Sequence, residues 1–592
     1  MTATDRSALT AARRIYVHLS ARRRQQLGGT IALMVVGAFA ELATIGAVLP
    51  FLVVVTGGEG GRYGAVVRAV ARFGAAMGIG TVAVSAGLLV TVAVAAGALR
   101  LLLTRASQHV VFAIAHDLAT HIYERTLHQP YSFHVQRNTS QTISGIEKVQ
   151  YVLGNVLLPA MAGLTAAIVA LFVLVALVWV DPATSLIAAA CFVALYATVS
   201  ILTRRKLYQN GDIIAAALQQ RVQTLQEGLG GIRDVLLDRS QGIFAAKFAA
   251  IDARFREAQA TNQFIAAAPR YVVEAGAVVL VAALALYVST QPGGVVAALP
   301  MLGALALGAQ RLLPLIQQVY FSWSQIYGNR GALNGIADML EMPAPPEPAA
   351  LPLPPFADAI VLDGLGYHYP TGEAAALADV MLSIPRGTRI GLIGKSGSGK
   401  STLADMIMGL LEPGDGMIRI DGRVLDAAAR PSWQQQIAHV PQAIFLADAS
   451  IAANIAFGRD PADIEMDRVR DAARGAELTD HIATLPQGYD TLVGERGIRL
   501  SGGQRQRIGI ARALYKRASV LVLDEATSAL DDETEAAVMA AINRLSRDLT
   551  VISIAHRVTT LRGCDRIVRL QAGRIVASGS YDAIVGGGAG AS

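Results

Sequence analysis

Residues 391–402 read Gly391-Leu392-Ile393-Gly394-Lys395-Ser396-Gly397-Ser398-Gly399-Lys400-Ser401-Thr402, between a short apolar run and a helical stretch at 403–411. The segment fits G-x-x-x-x-G-K-[ST] in the strand–loop–helix setting that this pattern requires. Gly394, Gly397 and Gly399 let the backbone N–H groups of the loop close around phosphates at a helix N-terminus. Lys400 is placed to reach the β- and γ-phosphates, and Ser401 to bring a hydroxyl to Mg²⁺. A second run, Val520-Leu521-Val522-Leu523, reads as a buried strand that ends in two carboxylates. Asp524 suits a metal ion, and Glu525, one residue further on, is placed to polarise an attacking water. Such a strand alone means little. With the glycine loop it reads as the other half of one nucleotide site.

The elements that position these residues occupy less than half of the 592 residues. Composition is 53% hydrophobic and 16% charged, which excludes a disordered chain. Residues 1–345 hold 26 Lys and Arg against 16 Asp and Glu, net +10; residues 346–592 hold 25 against 29, net −4. The basic charge therefore belongs to the apolar half and points to membrane flanks rather than nucleic acid. Six runs there are long enough to cross a bilayer: 28–55, 81–103, 152–180, 183–203, 271–290 and 296–322. The first is too long for a cleavable signal. Arg6, Arg13, Arg14, Arg22, Arg23 and Arg24 precede it and set that side in the cytoplasm.

Asp181-Pro182 and the turn 291–294 read as short outer connections. The polar stretches 105–150 and 204–265 read as helical cytoplasmic extensions. On the outside, Tyr63, Val66, Val67, Val70, Phe73 and Met77 share one helical face, which predicts a short surface helix over 63–77. Seven prolines in 343–355 mark a spacer between a membrane domain, 1–342, and a second domain, 356–585, followed by a Gly-rich tail, 586–592. Cys191 and Cys564 lie in different halves and form no disulfide framework.

Leu500-Ser501-Gly502-Gly503-Gln504 resembles the signature of ATP-binding-cassette proteins, and the other cassette motifs appear in order. The resemblance covers about 356–585. It implies that Tyr369 stacks on adenine and that Gln442 senses Mg²⁺ alongside Ser401 and Asp524. Asp531, in Ser528-Ala529-Leu530-Asp531, would couple the two sites, and His556 would meet the γ-phosphate. Ser501, Gly502, Gly503 and Gln504 would cap the ATP held by an opposite cassette. One cassette and six spans are then half of a transporter that works as a homodimer, with a heterodimer left open. The implied fold class is a membrane all-α six-helix transmembrane domain fused to an α/β P-loop NTPase domain.

The order of the domains, and Gly494-Glu495-Arg496-Gly497 ahead of the signature, are similar to the exporter branch (type IV exporter fold), with coupling helices near 128–140 and 225–238. The segments 129–134, 137–140, 269–274 and 310–314, with Glu41 and Pro50, resemble bacterial flippases of lipid-linked oligosaccharides. That implies a bacterial inner-membrane protein whose cassette is cytoplasmic. Arg100, Arg270 and Arg311 are costly inside a bilayer and suit phosphate contacts, with Glu41 a fourth candidate. Arg270 and Glu274, at i,i+4, are alternatively an ion pair, and Glu41 alternatively a partner for an arginine. Export of drugs, peptides or other lipids remains a second reading, and an ATP-gated channel or regulator a third.

Overall fold

The structure, a computed structural model, describes residues 8–56, 64–180, 182–289, 312–343, 353–369, 374–525, 535–536, 539–540, 548–555 and 558–585. It divides into two compact units: Met1–Gln129 with Gln136–Ala344, and Pro130–Val135 with Pro345–Ser592.

The first unit is helical. Its elements are α1 (Ala8–His18), α2 (Ala21–Thr56), α3 (Gly64–Met77), α4 (Thr81–Leu127), α5 (Tyr131–Gln136), α6 (Thr139–Val152), α7 (Leu158–Val180), α8 (Pro182–Gly230), α9 (Ile232–Leu237), α10 (Gln241–Ser289), α11 (312–328) and α12 (Arg330–Leu340). Most of α5 belongs to the second unit. A π-helical turn, Leu153–Leu157, joins α6 to α7. Among the described residues, Ala21–Val55, Thr81–Leu127 and Thr139–Trp179 are long and apolar enough to cross a membrane. Helices also cover 183–203, 271–289 and the described part, 312–322, of the last apolar run.

The helices do not stop where the apolar runs do. Helix α4 has 47 residues, α8 and α10 have 49 each, and polar sequence continues the apolar run with no Pro to break it, except in α10. Pro269 lies inside α10 and cannot donate to the carbonyl of Ile265. The Tyr320 hydroxyl of α11 donates to that carbonyl at 3.2 Å, so the gap is filled from a neighbouring helix. A helix, α3, is present where one is expected over 63–77, and short helices α5 and α9 lie within 128–140 and 225–238.

Where α8 meets α10, α11 and the start of α12, the packing is too close for larger residues. A Cβ on Gly331 would lie 2.6 Å from the Gly211 carbonyl oxygen. Buried Asn210 donates to Asn262 Oδ1 at 2.8 Å, and Asn262 donates to the Gly328 carbonyl at 3.0 Å. Paired amides at such a crossing specify register while leaving no orphan. The N-terminal helix is fastened to α12 by Arg14, which donates to Asp338 Oδ1 and to both oxygens of Glu341 at 2.7 Å.

The second unit has two sheets. One is antiparallel, in the order β2 (Leu377–Pro385), β1 (Ala359–Tyr367), β4 (Asp415–Ile420), β5 (Arg423–Val424). The other runs β10 (Arg574–Gly579), β9 (Arg566–Gln571), β3 (Arg389–Ile393), β8 (Thr550–Ile554), β7 (Val520–Asp524), β6 (Ile437–Val440), parallel except for β10. A parallel sheet is covered on both faces, so its strands are apolar throughout. Val520 and Val522 enter one core with Trp433 and Ile552, whereas Leu521 and Leu523 enter another with Ile508 and Val551. Register does the positioning. Leu392 pairs with Ile554, Leu523 with Ser553, and Val440 with Leu523. The carboxyl ends of four strands are thereby level, and the loops leaving them share one crevice.

A nucleotide site at the carboxyl ends of the parallel strands

The loop leaving β3 holds the glycines. Gly399 has φ +99°, and a Cβ there would lie 2.6 Å from the Ala376 carbonyl oxygen, so this close turn into the helix Lys400–Ile407 needs glycine. Lys400 folds over the loop, and its Nζ donates to the carbonyls of Gly394 at 2.8 Å and Lys395 at 3.0 Å. Burial lowers its pKa, and the charges of Glu525 and Asp524 act the other way. The cation thus sits within the field of both carboxylates. Ser398 Oγ is buried without a hydrogen-bond partner among the described residues. A narrow, glycine-lined loop with an orphaned hydroxyl and a lysine fits a phosphate chain.

Asp524 ends β7, and Glu525 follows with φ +48°, a left-handed conformation unusual for a non-glycine residue. Three neighbours hold it there. Its N–H donates to the Ile554 carbonyl at 2.9 Å, Gln506 Nε2 donates to its carbonyl at 3.2 Å, and Gln442 Nε2 donates to Oε2 at 2.5 Å. Strained backbone at a reacting group is a recurrent feature of active sites. Ser401, Asp524 and Gln442 supply hydroxyl, carboxylate and amide oxygens, an oxygen donor set that suits Mg²⁺. Tyr369 Oη lies 3.2 Å from Thr402 Oγ1, and its ring meets Tyr367 edge-on at 5.0 Å.

Sequence reasoning missed Asp405 and Gln506. Asp405, one turn after Thr402, is pushed up to about 6, first by burial and then by Asp524. Tyr131 of α5 is raised by burial and then by Asp405 and Tyr369. An acidic residue at the fifth place after the invariant lysine of the pattern carries no motif, and only the fold reveals its burial. Gln506 is likewise unmarked until the strand ends are in place.

Ser501 is the N-cap of the helix Gly502–Lys516. Its Oγ accepts from Gln504 N–H at 3.2 Å, while Gln504 Oε1 accepts from Ser501 N–H at 2.8 Å. This capping box is readable as S-x-x-Q. It spends Gln504 Oε1 on the helix start, with Gln504 Nε2 3.4 Å from His481 Nδ1, and among the described residues the Ser501 hydroxyl donates to no acceptor. Among the described residues no hydrogen bond links Ser501, Gly502, Gly503 or Gln504 to the glycine loop. His556, Asp531 and Arg311 lie outside the described residues.

In the first unit, Arg100 pairs with Glu41, joining α4 to α2, and Arg270 Nε pairs with Glu274 Oε1 at 2.8 Å on α10. Both ion-pair alternatives are realised, so neither guanidinium stands as an unmatched charge.

Residues 377–528 match the family described as ABC transporter, and 66–292 match the ABC transporter transmembrane region. An ATP-dependent lipid A-core flippase of Cupriavidus metallidurans is 33% identical over 482 residues, 78% of each chain. A protein of the same name from Burkholderia pseudomallei is 33% identical over 492 residues, 80% of this chain and 79% of the other. The chain belongs to the ABC transporter family: a helical transmembrane domain fused to an ATPase that couples hydrolysis to transport. Its fold is also that of a bacterial Atm1-family ABC exporter solved with ATP bound, with a TM-score of 0.74, 24% identity, and 95% and 96% of the two chains covered.

Proposed function

We propose that this chain is one half of a homodimeric, ATP-driven flippase that moves an amphipathic anionic lipid from the inner to the outer leaflet of a bacterial inner membrane. A lipid-linked oligosaccharide pyrophosphate is the specific cargo proposed. The observation that carries a lipid cargo is the match, over 78% of both chains, to a relative named ATP-dependent lipid A-core flippase. Residues 1–342 form the transmembrane domain, 343–355 the spacer, 356–585 the cassette and 586–592 a tail.

ATP enters the glycine loop, with Tyr369 on adenine and Lys400 on the outer phosphates. Ser401, Asp524 and Gln442 hold Mg²⁺, which when bound supplies positive charge against the phosphate oxygens. Glu525 orients the attacking water and accepts its proton, with Gln442 fixing the carboxylate. Ser501 donates its free proton to the γ-phosphate of the partner's nucleotide, and the N–H groups of Gly502 and Gly503 join it. His556 and Asp531 complete the two composite sites. Closure is passed to the spans through α5 and α9.

The test is a flipping assay in proteoliposomes with a fluorescent lipid pyrophosphate, read as ATP-dependent loss of access from the cassette side. Transport of that lipid, but not of its dephosphorylated alcohol, is the expected result. Transport of lipophilic cations or peptides with no lipid pyrophosphate transport sinks the proposal in favour of the multidrug reading.

A further inference from the structure

Arg100 and Arg270 are matched by carboxylates, but Arg204 is not. It ends the apolar run 183–203 of α8, is exposed, and has no carboxylate partner among the described residues. Its guanidinium carbon lies 5.3 Å from the ring centre of Tyr208 and 5.9 Å from that of Tyr327 on α11. Nη2 donates to Tyr208 Oη at 3.3 Å. Tyr208 meets Tyr327 edge-on at 5.8 Å and carries the Arg330 guanidinium at 4.0 Å, and Arg330 is in turn anchored on Asp212 at 2.8 Å. From Tyr327 the rings continue along α11 and onto α8: Trp323 at 4.9 Å, then Tyr320 at 5.7 Å, then Tyr196 at 5.2 Å. Tyr196 lies about 12 Å further into the apolar run than Arg204.

A cluster of basic residues at a span end is by itself only an anchor. Here the guanidinium lies over two rings, and Arg204 and the two residues that follow it, Arg205 and Lys206, are exposed. That geometry suits a phosphate, which takes planar, charge-assisted contacts. Half-buried Trp323 and Tyr327 offer the adjoining apolar surface, and buried Tyr320 and Tyr196 brace them from behind.

We propose that Arg204, Tyr208 and Tyr327 form a recognition site for the phosphate headgroup of an anionic lipid in the inner leaflet, whose chain lies against Trp323. The site rests on the proposed lipid cargo and names where that cargo is first held, ahead of the spans' interior charges.

The test is quenching of Trp323 by brominated lipids in vesicles, without ATP, with the Trp323→Phe chain as the blank for Trp179 and Trp433. At equal mole fraction, brominated phosphatidic acid is expected to quench about fivefold more effectively than brominated phosphatidylcholine, the preference that one basic residue near a membrane confers. Arg204→Ala should erase the preference, Arg204→Lys should keep part of it, and Tyr208→Phe, which only frees the guanidinium, should weaken it. Equal quenching by the two lipids, or a preference that survives Arg204→Ala, overturns the site. Loss of the preference on adding inorganic phosphate identifies a soluble anion as the ligand and also overturns it. Because the readout needs no transport, an intact preference with no flipping would defeat the cargo while leaving the site standing.

Discussion

In the proposed cycle, turnover depends most directly on Glu525. Glu525→Gln keeps the shape and the Gln442 contact but removes the base, so ATP binding should persist while hydrolysis falls by about 10²–10⁴-fold. Wild-type turnover by purified Glu525→Gln would remove it from the catalytic role. Asp405 makes a different prediction. Its folded pKa, about 6, lies above the ordinary 3.8, so the fold favours the protonated carboxyl. The stabilisation is present at low pH and is lost as pH rises from about 4 through about 6. Asp405→Asn mimics the neutral form, so it should raise the nucleotide-free melting temperature more at pH 7.5 than at pH 5. An equal shift at both values would contradict the assignment. The phosphate loop and the carboxylate pair were legible in the sequence because each motif carries its chemistry in consecutive residues. Gln442, Gln506 and Ile554 converge on Glu525 from three elements far apart in the chain, and no local pattern announces that.

At the scale of elements, the sequence defines the apolar runs but not the length of the helices that contain them. A bilayer limits how far apolar residues extend, whereas a helix ends only where a breaker or a cap stops it, so α8 runs on to Gly230. The pairing of Arg100 with Glu41 is a second such case, since periodicity cannot say which helices are neighbours. Pro269 is a helix breaker by residue type, yet no local pattern shows which group compensates for it. Tyr320→Phe strips the Ile265 carbonyl of its donor and should cost about 1–3 kcal/mol, read as a lower inactivation temperature. Pro269→Ala restores the helical N–H and should cancel most of that loss. Additive effects in the double variant would mean that the tyrosine acts by packing alone.

For the whole molecule, the signature residues are, among the described residues, hydrogen-bonded to their own helix start and not to the glycine loop of the same chain, which fits a site completed by a second copy. Lys400→Ala and Ser501→Ala chains should each be inactive alone. Mixed at random, they should recover up to about a quarter of wild-type ATPase activity, because half the dimers then contain one site of intact composition. No recovery in dimers shown to be mixed would reject the shared site. The long helices have a mechanical corollary. A straight helix of 49 residues is about 70 Å from end to end, so a tilt of about 10° at one end sweeps the other by about 12 Å. Such a beam magnifies a small rotation faithfully only while it stays stiff. Helix α10 is weakened at Pro269, and a single phenol from α11 splints the weak point. How much of a stroke α10 delivers, and how much is lost as flexure, is therefore set by a neighbouring helix rather than by its own sequence.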